Sequence, residues 1–408
     1  MPTSSGHLTF AMLSAVMFGA AAAFAPSPAL RAGVLMRPAA RPALTPSMLE
    51  IAPPILRAAK FLKGDGVSAE RVPCGDNENE ECYALCDTDG CSVVGEVGLM
   101  RTVKIGIYFA LWFGLSTGYN LQNKVRLNLL PLPWCQSAFS LFVGTAFVMP
   151  LWLSGLRKAP RLSADAIKTL LPIAFCHSIG HIGAVVSAGA GAVSFTQIVK
   201  AAEPVFTCVL SAIILGSRLA PLTVLSLVPI VLGVSLASMT ELSFTWLSFG
   251  GAMLSNLAFA IRNICSRASM DKPKGENMTP ENLFGVLTVM SFLFALPLAL
   301  AIEGPRAMAV VAASTLKAGG MAPILKSSIA TGLYFYTYNE VAMLALNNVH
   351  PVTHAVANTI KRVVILLACV IAFRTPMTPL CMTGSAIAIG GGYLYSLAKG
   401  AEKAQKKA

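Results

Sequence analysis

"PLTVLSLVPIVLGVSLAS", residues 221–238, runs 18 positions without a charged side chain. As a helix it covers about 27 Å at roughly 1.5 Å per residue, close to the thickness of a bilayer's hydrocarbon core. The stretch returns without gaps as "PLCMTGSAIAIGGGYLYS" at 379–396. Both copies open on Pro-Leu, place glycine at the thirteenth position (Gly233 and Gly391) and close on serine. Their offset is 158 residues.

The pair belongs to a set of ten apolar segments, at about 103–122, 134–154, 167–187, 192–215, 220–238, 244–267, 283–302, 323–346, 352–373 and 378–397. The breaks between them are short and polar, as in "RKAPRLSAD" (157–165) and "SRASMDKPKGENMTPEN" (266–282). Each segment approaches the roughly 20 residues that a spanning helix needs. With five spans per copy, the second half starts on the opposite side of the membrane. The expected fold is an all-α membrane protein: ten transmembrane helices in two inverted five-helix repeats, 101–240 and 241–398, then a basic tail at 399–408. Carriers of that build bind substrate near the midplane, between the halves.

Composition agrees. The chain is 55% hydrophobic and 12% charged, about half the charged share of soluble proteins, which excludes a large soluble domain. The net charge of +12 could suit nucleic acid, but no basic run with interleaved aromatics occurs, so no nucleic-acid partner is expected. Residues 101–408 hold 24 Lys/Arg against nine acids. That surplus suits an anionic ligand, and loops obeying positive-inside placement add to it.

The N-terminus reads as an address. Residues 1–23 have a short apolar core ending in Ala21-Ala22-Ala23, as a signal peptide does. Residues 24–63 carry Arg31, Arg37 and Arg41 in a Ser/Pro/Ala-rich context, with no acid before Glu50, as transit peptides do. Signal core, "AFAP" and basic segment together resemble the bipartite presequence of secondary plastids. Residues 64–100 are acidic and contain Cys74, Cys82, Cys86 and Cys91. Their gaps do not match the Cys-x2-Cys pairs of zinc sites, which leaves a disulfide clasp or a disordered tether.

Ionisable residues deep inside the spans are few: His177, His181, Lys200, Glu203, Arg262, Glu340, His354, Lys361 and Arg362. Such residues mark a substrate or ion path unless they pair with one another or snorkel. Lys200 and Glu203, three apart, could pair on one face, and Arg262 could reach an interface. Lys361 and Arg362 are harder to place, because "PVTHAVANTIKRVVILLACVIAF" contains no acid. Two unpaired cations there cost on the order of 5–7 kcal/mol on an insertion scale. Glu203 or Glu340 could neutralise one of them. A phosphate monoester, with about −1.5 to −2 charges and three acceptor oxygens, would serve both. His354 and Asn358 share the face of Lys361. Pro204 removes the helical donor to the Lys200 carbonyl and bends the fourth span there. The 158-residue offset carries Lys200 onto Asn358 and His181 onto Asn339, so the polar positions of the halves correspond.

Enzyme signatures are absent: there is no phosphate loop, no His-Glu-x-x-His pair and no Gly-x-Ser-x-Gly elbow. No cofactor or metal is expected. The stretches "GHIGAVVSAGAGAVSFTQIVKAAEPVF", "SNLAFAIRNICSRASM", "YTYNEVAMLALNNVHPVTHAVANTIKRVV" and "GSAIAIGGGYLYSLAK" resemble the plastid phosphate translocators, within the drug/metabolite transporter superfamily, over about residues 101–398. The resemblance implies ten helices in two inverted halves and exchange of inorganic phosphate for a phosphorylated C3, C5 or C6 compound in a plastid envelope. It also implies that Lys200, Lys361 and Arg362 hold the phosphate, with His181, Arg262 and Tyr338 touching phosphate or the rest of the substrate. Triose phosphate or 3-phosphoglycerate is the expected counter-substrate. Hexose-, pentose- or enolpyruvate-phosphate exchange, or a Golgi nucleotide-sugar carrier, is the alternative. Glu340, where the family usually has Gln, Gln197, where His is common, and Ala184, where some members have a hydroxyl, leave the organic moiety open.

Overall fold

The computed structural model describes the backbone of residues 68–405, with breaks at 75–76, 88–89, 95, 217–219, 269–274 and 350, and the side-chain environment of most residues from 103 to 402. The signal-like and transit-like segments at 1–63 lie outside the described residues. The chain divides near residue 107 into two compact units.

In the first unit, β1 (Ser68–Cys74), β2 (Asn77–Asp87) and β3 (Gly90–Val94) form an antiparallel sheet in the order β1-β2-β3. The acidic cysteine segment, whose composition suggested a disulfide clasp or a disordered tether, thus has strand backbone over these residues. Asp87 pairs with Gly90, and Cys86 is registered opposite Cys91.

The rest is helical. The helices are α1 (Glu96–Leu129), α2 (Pro133–Leu153), α3 (Ala164–Ala190), α4 (Val193–Lys200), α5 (Glu203–Leu215), α6 (Pro221–Leu225), α7 (Leu227–Thr240), α8 (Trp246–Ala268), α9 (Pro280–Ala318), α10 (Met321–Asn348), α11 (Pro351–Phe373) and α12 (Pro379–Gln405). Among the described residues, seven stretches are long and apolar enough to cross a membrane by length and composition: α2, α3, α4–α5, α6–α7, α9, α11 and α12. The three other segments counted in the sequence lie within α1, α8 and α10. These helices are more polar, carrying among others Lys124, Arg126, Asn256, Arg262, Asn263 and Glu340.

Proline explains the broken fourth span. Pro204 has no N–H for the Lys200 carbonyl, and the helix parts at Ala201–Ala202 into α4 and α5. The fifth span breaks likewise at Ser226, three residues before Pro229.

The 158-residue repeat has a physical counterpart where α7 meets α12. A Cβ on Gly233 would collide with the backbone of Ala388, and one on Gly391 would lie 2.8 Å from Ile230 N. Gly391 and Ile230 are the offset mates of Gly233 and Ala388, so the contact is reciprocal. In lipid there is no hydrophobic drive between helices, and small residues let backbones approach. The α3–α8 pair follows the same rule. A Cβ on Gly183 would lie 2.8 Å from Gly251 O, and one on Gly251 would lie 2.9 Å from Gly183 O. Serine hydroxyls bind the same two helices: Ser255 Oγ donates to Gly180 O (2.8 Å) and Ser248 Oγ to Ser187 O (2.9 Å).

The bundle is tied differently at its two ends. At one end, Lys124 Nζ of α1 donates to Ala188 O and Gly191 O at 2.9 and 2.8 Å, capping the α3 carbonyls. Thr245 Oγ1 donates to Ala190 O, and Ala192 N to Ser243 Oγ. Along this half α4 packs on α11. Past the break, among the described residues, α5 packs chiefly on α8 rather than on α11. A cavity of about 180 Å³ opens there, lined by Glu203, Thr207, Asn263, Asn358, Arg362 and Tyr395 among others.

Candidate anion-binding site

The broken helix supplies the centre of the site. Lys200, at the end of α4, donates through Nζ to Ser255 Oγ (2.8 Å) and stands 4.6 Å from the centre of the Phe259 ring. Arg362 of α11 donates Nη1 to the Lys200 carbonyl, the acceptor that Pro204 left without its helical donor. Its Nη2 reaches Glu203 Oε2 at 2.7 Å. Glu203 therefore pairs with Arg362 and not with Lys200, its neighbour one turn back. The reason is the break, which carries residues 200 and 203 on separate helices and removes the i,i+3 geometry that an unbroken helix would give.

The network continues through α8 and α3. Asn263 Nδ2 donates to Glu203 Oε1 (3.3 Å), and Arg262 Nη2 donates to Asn263 Oδ1 (3.1 Å). Arg262 Nη1 lies 3.0 Å from His177 Nδ1. A guanidinium only donates, so Nδ1 accepts and the imidazole proton sits on Nε2. Arg262 also lies over the Phe259 ring at 4.6 Å. It points inward and does not snorkel, because His177 and Phe259 give its head a polar and an aromatic partner inside the bundle.

Lys361 is different. Its Nζ lies 4.6 Å from the Trp112 ring centre and 5.9 Å from that of Tyr338. Among the described residues no carboxylate stands within ion-pair distance of it. His354 stacks on the other partner of this cage, its ring 4.6 Å from Trp112 at 15°. Tyr338 lies against Tyr119 and Phe335, and His181 packs 4.0 Å from Phe335. The Nε2 atoms of His181 and His354 are buried and have no hydrogen-bond partner among the described residues. Lys361 lies within electrostatic reach of Arg362, Lys200 and Glu203, and His181 within reach of Lys200.

All six residues singled out in the sequence thus meet in one region: Lys200, Lys361, Arg362, His181, Arg262 and Tyr338. Glu340 does not join them. It accepts a two-pronged bond from Arg157 of the α2–α3 loop, at 2.6 and 3.4 Å. Gln197 also lies elsewhere in its bonding, donating to Asn120 Oδ1 of α1 (2.9 Å). Sequence reasoning missed Ser255, Phe259, Asn263 and Trp112. Ser255, Phe259 and Asn263 share a helix with Arg262 at spacings of seven, three and one, so a helical wheel around Arg262 marks Ser255 and Phe259. Trp112 has no such signal.

Because Glu340 is held by Arg157, Glu340→Gln should leave phosphate handling near wild type. Both side chains are partly buried, 24% and 14% exposed, so losing the paired charge should cost about 1 kcal/mol of stability. Thermal unfolding alongside an exchange assay checks both halves.

The central charge balance is four cations, Lys200, Arg262, Lys361 and Arg362, against the Glu203 carboxylate. Four cations against one carboxylate leave a surplus of positive charge that an anion can offset, and among the described residues no cluster of His, Cys, Asp and Glu could hold a metal ion. A multi-pass helical bundle with a cationic, aromatic-walled centre is the build of a membrane carrier. The chain matches the Triose-phosphate Transporter family over residues 103–396. It belongs to that family, and it is a transporter rather than an enzyme.

Curated relatives place the family resemblance in detail. The chain is 38% identical over 299 residues to glucose-6-phosphate/phosphate translocator 1 of Arabidopsis thaliana, covering 73% of this chain and 76% of that one. It is 39% identical over 304 residues to the xylulose 5-phosphate/phosphate translocator of Arabidopsis thaliana, covering 74% and 72%. To the triose phosphate/phosphate translocator of Flaveria pringlei it is 37% identical over 303 residues, covering 74% and 73%. All three are named as chloroplast proteins.

Proposed function

We propose that this chain is an antiporter that exchanges inorganic phosphate for triose phosphate or 3-phosphoglycerate across a plastid envelope membrane. It would reach a secondary plastid through its bipartite presequence. Lys200, Lys361 and Arg362 would hold the phosphoryl group, with His181, Arg262 and Tyr338 contacting it or the organic part. The single observation that carries this reading is Lys361: a half-buried ammonium against the aromatic faces of Trp112 and Tyr338, with no carboxylate within ion-pair distance among the described residues. Aromatic faces return about 2 kcal/mol to a desolvated cation, less than the several kcal/mol that burial of an ion costs. A visiting dianion makes up the difference.

The mechanism follows from charge. The empty centre carries a net of about three positive charges, and a phosphate bearing about −1.5 to −2 removes most of them. Reorientation requires the halves to close around that centre, and closing raises the repulsion between its cations. Only the loaded centre closes readily, which couples every outward step to an inward one. In liposomes carrying the purified protein, labelled phosphate should enter only when phosphate or a phosphorylated C3 compound is inside. Uptake equally fast into empty liposomes would overturn obligatory exchange.

A second reading keeps the phosphate but changes the partner. Relatives named for glucose 6-phosphate and xylulose 5-phosphate are as similar to this chain as the one named for triose phosphate. Competition by triose, pentose, hexose and enolpyruvate phosphates against labelled phosphate separates these readings.

A further inference from the structure

We propose that Glu203 is the carrier's own stand-in anion: in the empty state its carboxylate occupies Arg362, and the phosphate of an arriving substrate displaces it. The inference deepens the antiport reading and rests on it.

The placement of Glu203 supports this role in three ways. Its carboxylate pairs with one of the central cations, while the other nearby acid in α10, Glu340, is committed to Arg157. It accepts through both oxygens, Arg362 on Oε2 and Asn263 on Oε1, so it joins α11 to α8 across the centre. A phosphate oxyanion offers the same acceptor geometry to a guanidinium. Glu203 and an arriving phosphate are therefore competitors for one donor.

Glu203 also has the freedom to leave. It begins α5 just past the Ala201–Ala202 break, on a helix that packs chiefly on α8 and meets α11 through the Glu203–Arg362 pair. Beside the Glu203–Arg362 pair lies the 180 Å³ cavity, whose wall includes Asn358, Thr207 and Tyr395. A carboxylate swung off Arg362 enters that cavity and meets the Asn358 amide there. Arg362 keeps its bond to the Lys200 carbonyl meanwhile, so the guanidinium stays in place while one edge changes partner. Lys361 has no such internal substitute, which makes it the first cation an entering anion neutralises and Arg362 the second.

Competition sets a clear expectation. With Glu203→Gln the internal rival loses its charge, so phosphate binds more tightly and leaves more slowly. Binding of inorganic phosphate to the full-length purified protein in detergent, by calorimetry, should tighten about tenfold, the equivalent of one charge-assisted hydrogen bond no longer displaced. Phosphate–phosphate exchange in liposomes should show a lower KM together with a lower kcat, while coupling stays strict. A merely structural glutamate would reduce the amount of folded carrier without moving KM.

The outcomes separate cleanly. Wild-type protein that binds no phosphate overturns the antiport reading itself. Wild-type binding with unchanged or weaker binding in folded Glu203→Gln overturns the stand-in role alone. Should the Gln variant fail to fold, Glu203→Asp carries the test, since its shorter reach weakens the hold on Arg362 and also tightens phosphate binding. Loss of folded protein in both variants assigns Glu203 to structure and overturns the proposal.

Discussion

Lys361→Gln is expected to lower phosphate exchange by about a hundredfold or more while leaving the protein as stable as the wild type, or more so. The two halves of this expectation have one cause. In the empty carrier the ammonium contributes little to folding: its neighbours are Trp112 and Tyr338, and no carboxylate lies within ion-pair distance among the described residues. Replacing an unpaired, partly desolvated ion by a neutral group of similar length removes part of the several kcal/mol that desolvating an ion costs. In the loaded carrier the same ammonium would hold the phosphoryl group through a charge-assisted hydrogen bond worth about 1.5–3 kcal/mol. At about 1.4 kcal/mol per tenfold, the upper end of that range is about a hundredfold. Exchange rates in liposomes and melting temperature in detergent, measured on the same preparation, decide it. Near-normal exchange would remove Lys361 from the site, and a large drop in melting temperature would mean that it is a structural residue.

Gly233→Leu is expected to do the opposite and unfold or disorder the carrier without touching a polar group. The α7–α12 contact brings backbones together where a single Cβ on Gly233 would meet the Ala388 backbone. Backbone cannot rotate away as a side chain can, so the helices must part. Overpacking of this kind costs about 1–3 kcal/mol in ordinary cores. Here the contact is repeated by Gly391 against Ile230, and separating the helices loses both. The expected result is a large fall in monodisperse protein after detergent extraction. Gly250→Leu is the control, since a Cβ at Gly250 meets nothing within 4 Å. Equal behaviour of the two variants would remove the close approach as the organising contact between α7 and α12.

The sequence carried the membrane character, the helical segments and the polar set directly. An 18-residue run without charge has few other uses, and a proline in the fourth span has one local consequence, the break between Lys200 and Glu203. Pairing was less legible. Lys200 and Glu203 have the spacing of a helical ion pair, yet the break sends Glu203 to Arg362 and Lys200 to Ser255. Glu340 has the depth of a site residue, yet a loop arginine takes it. The sheet at 68–94 was also illegible, because β2 (NENEECYALCD) is a polar run followed by a short apolar one and shows no alternation.

What the residues alone determined is which groups lie at membrane depth, because hydropathy and helical rise translate position along the chain into depth. They also marked the matching glycines Gly233 and Gly391, and the structure shows that these bring the α7 and α12 backbones together. Only the tertiary structure decided which cation is neutralised and which is left over. Partner choice depends on how helices cross, and Trp112 beneath Lys361 or Arg362 on the Lys200 carbonyl joins residues from helices whose faces no local pattern relates. That difference between a paired arginine and an unpaired lysine is a fact of packing, and the proposed exchange chemistry is built on it.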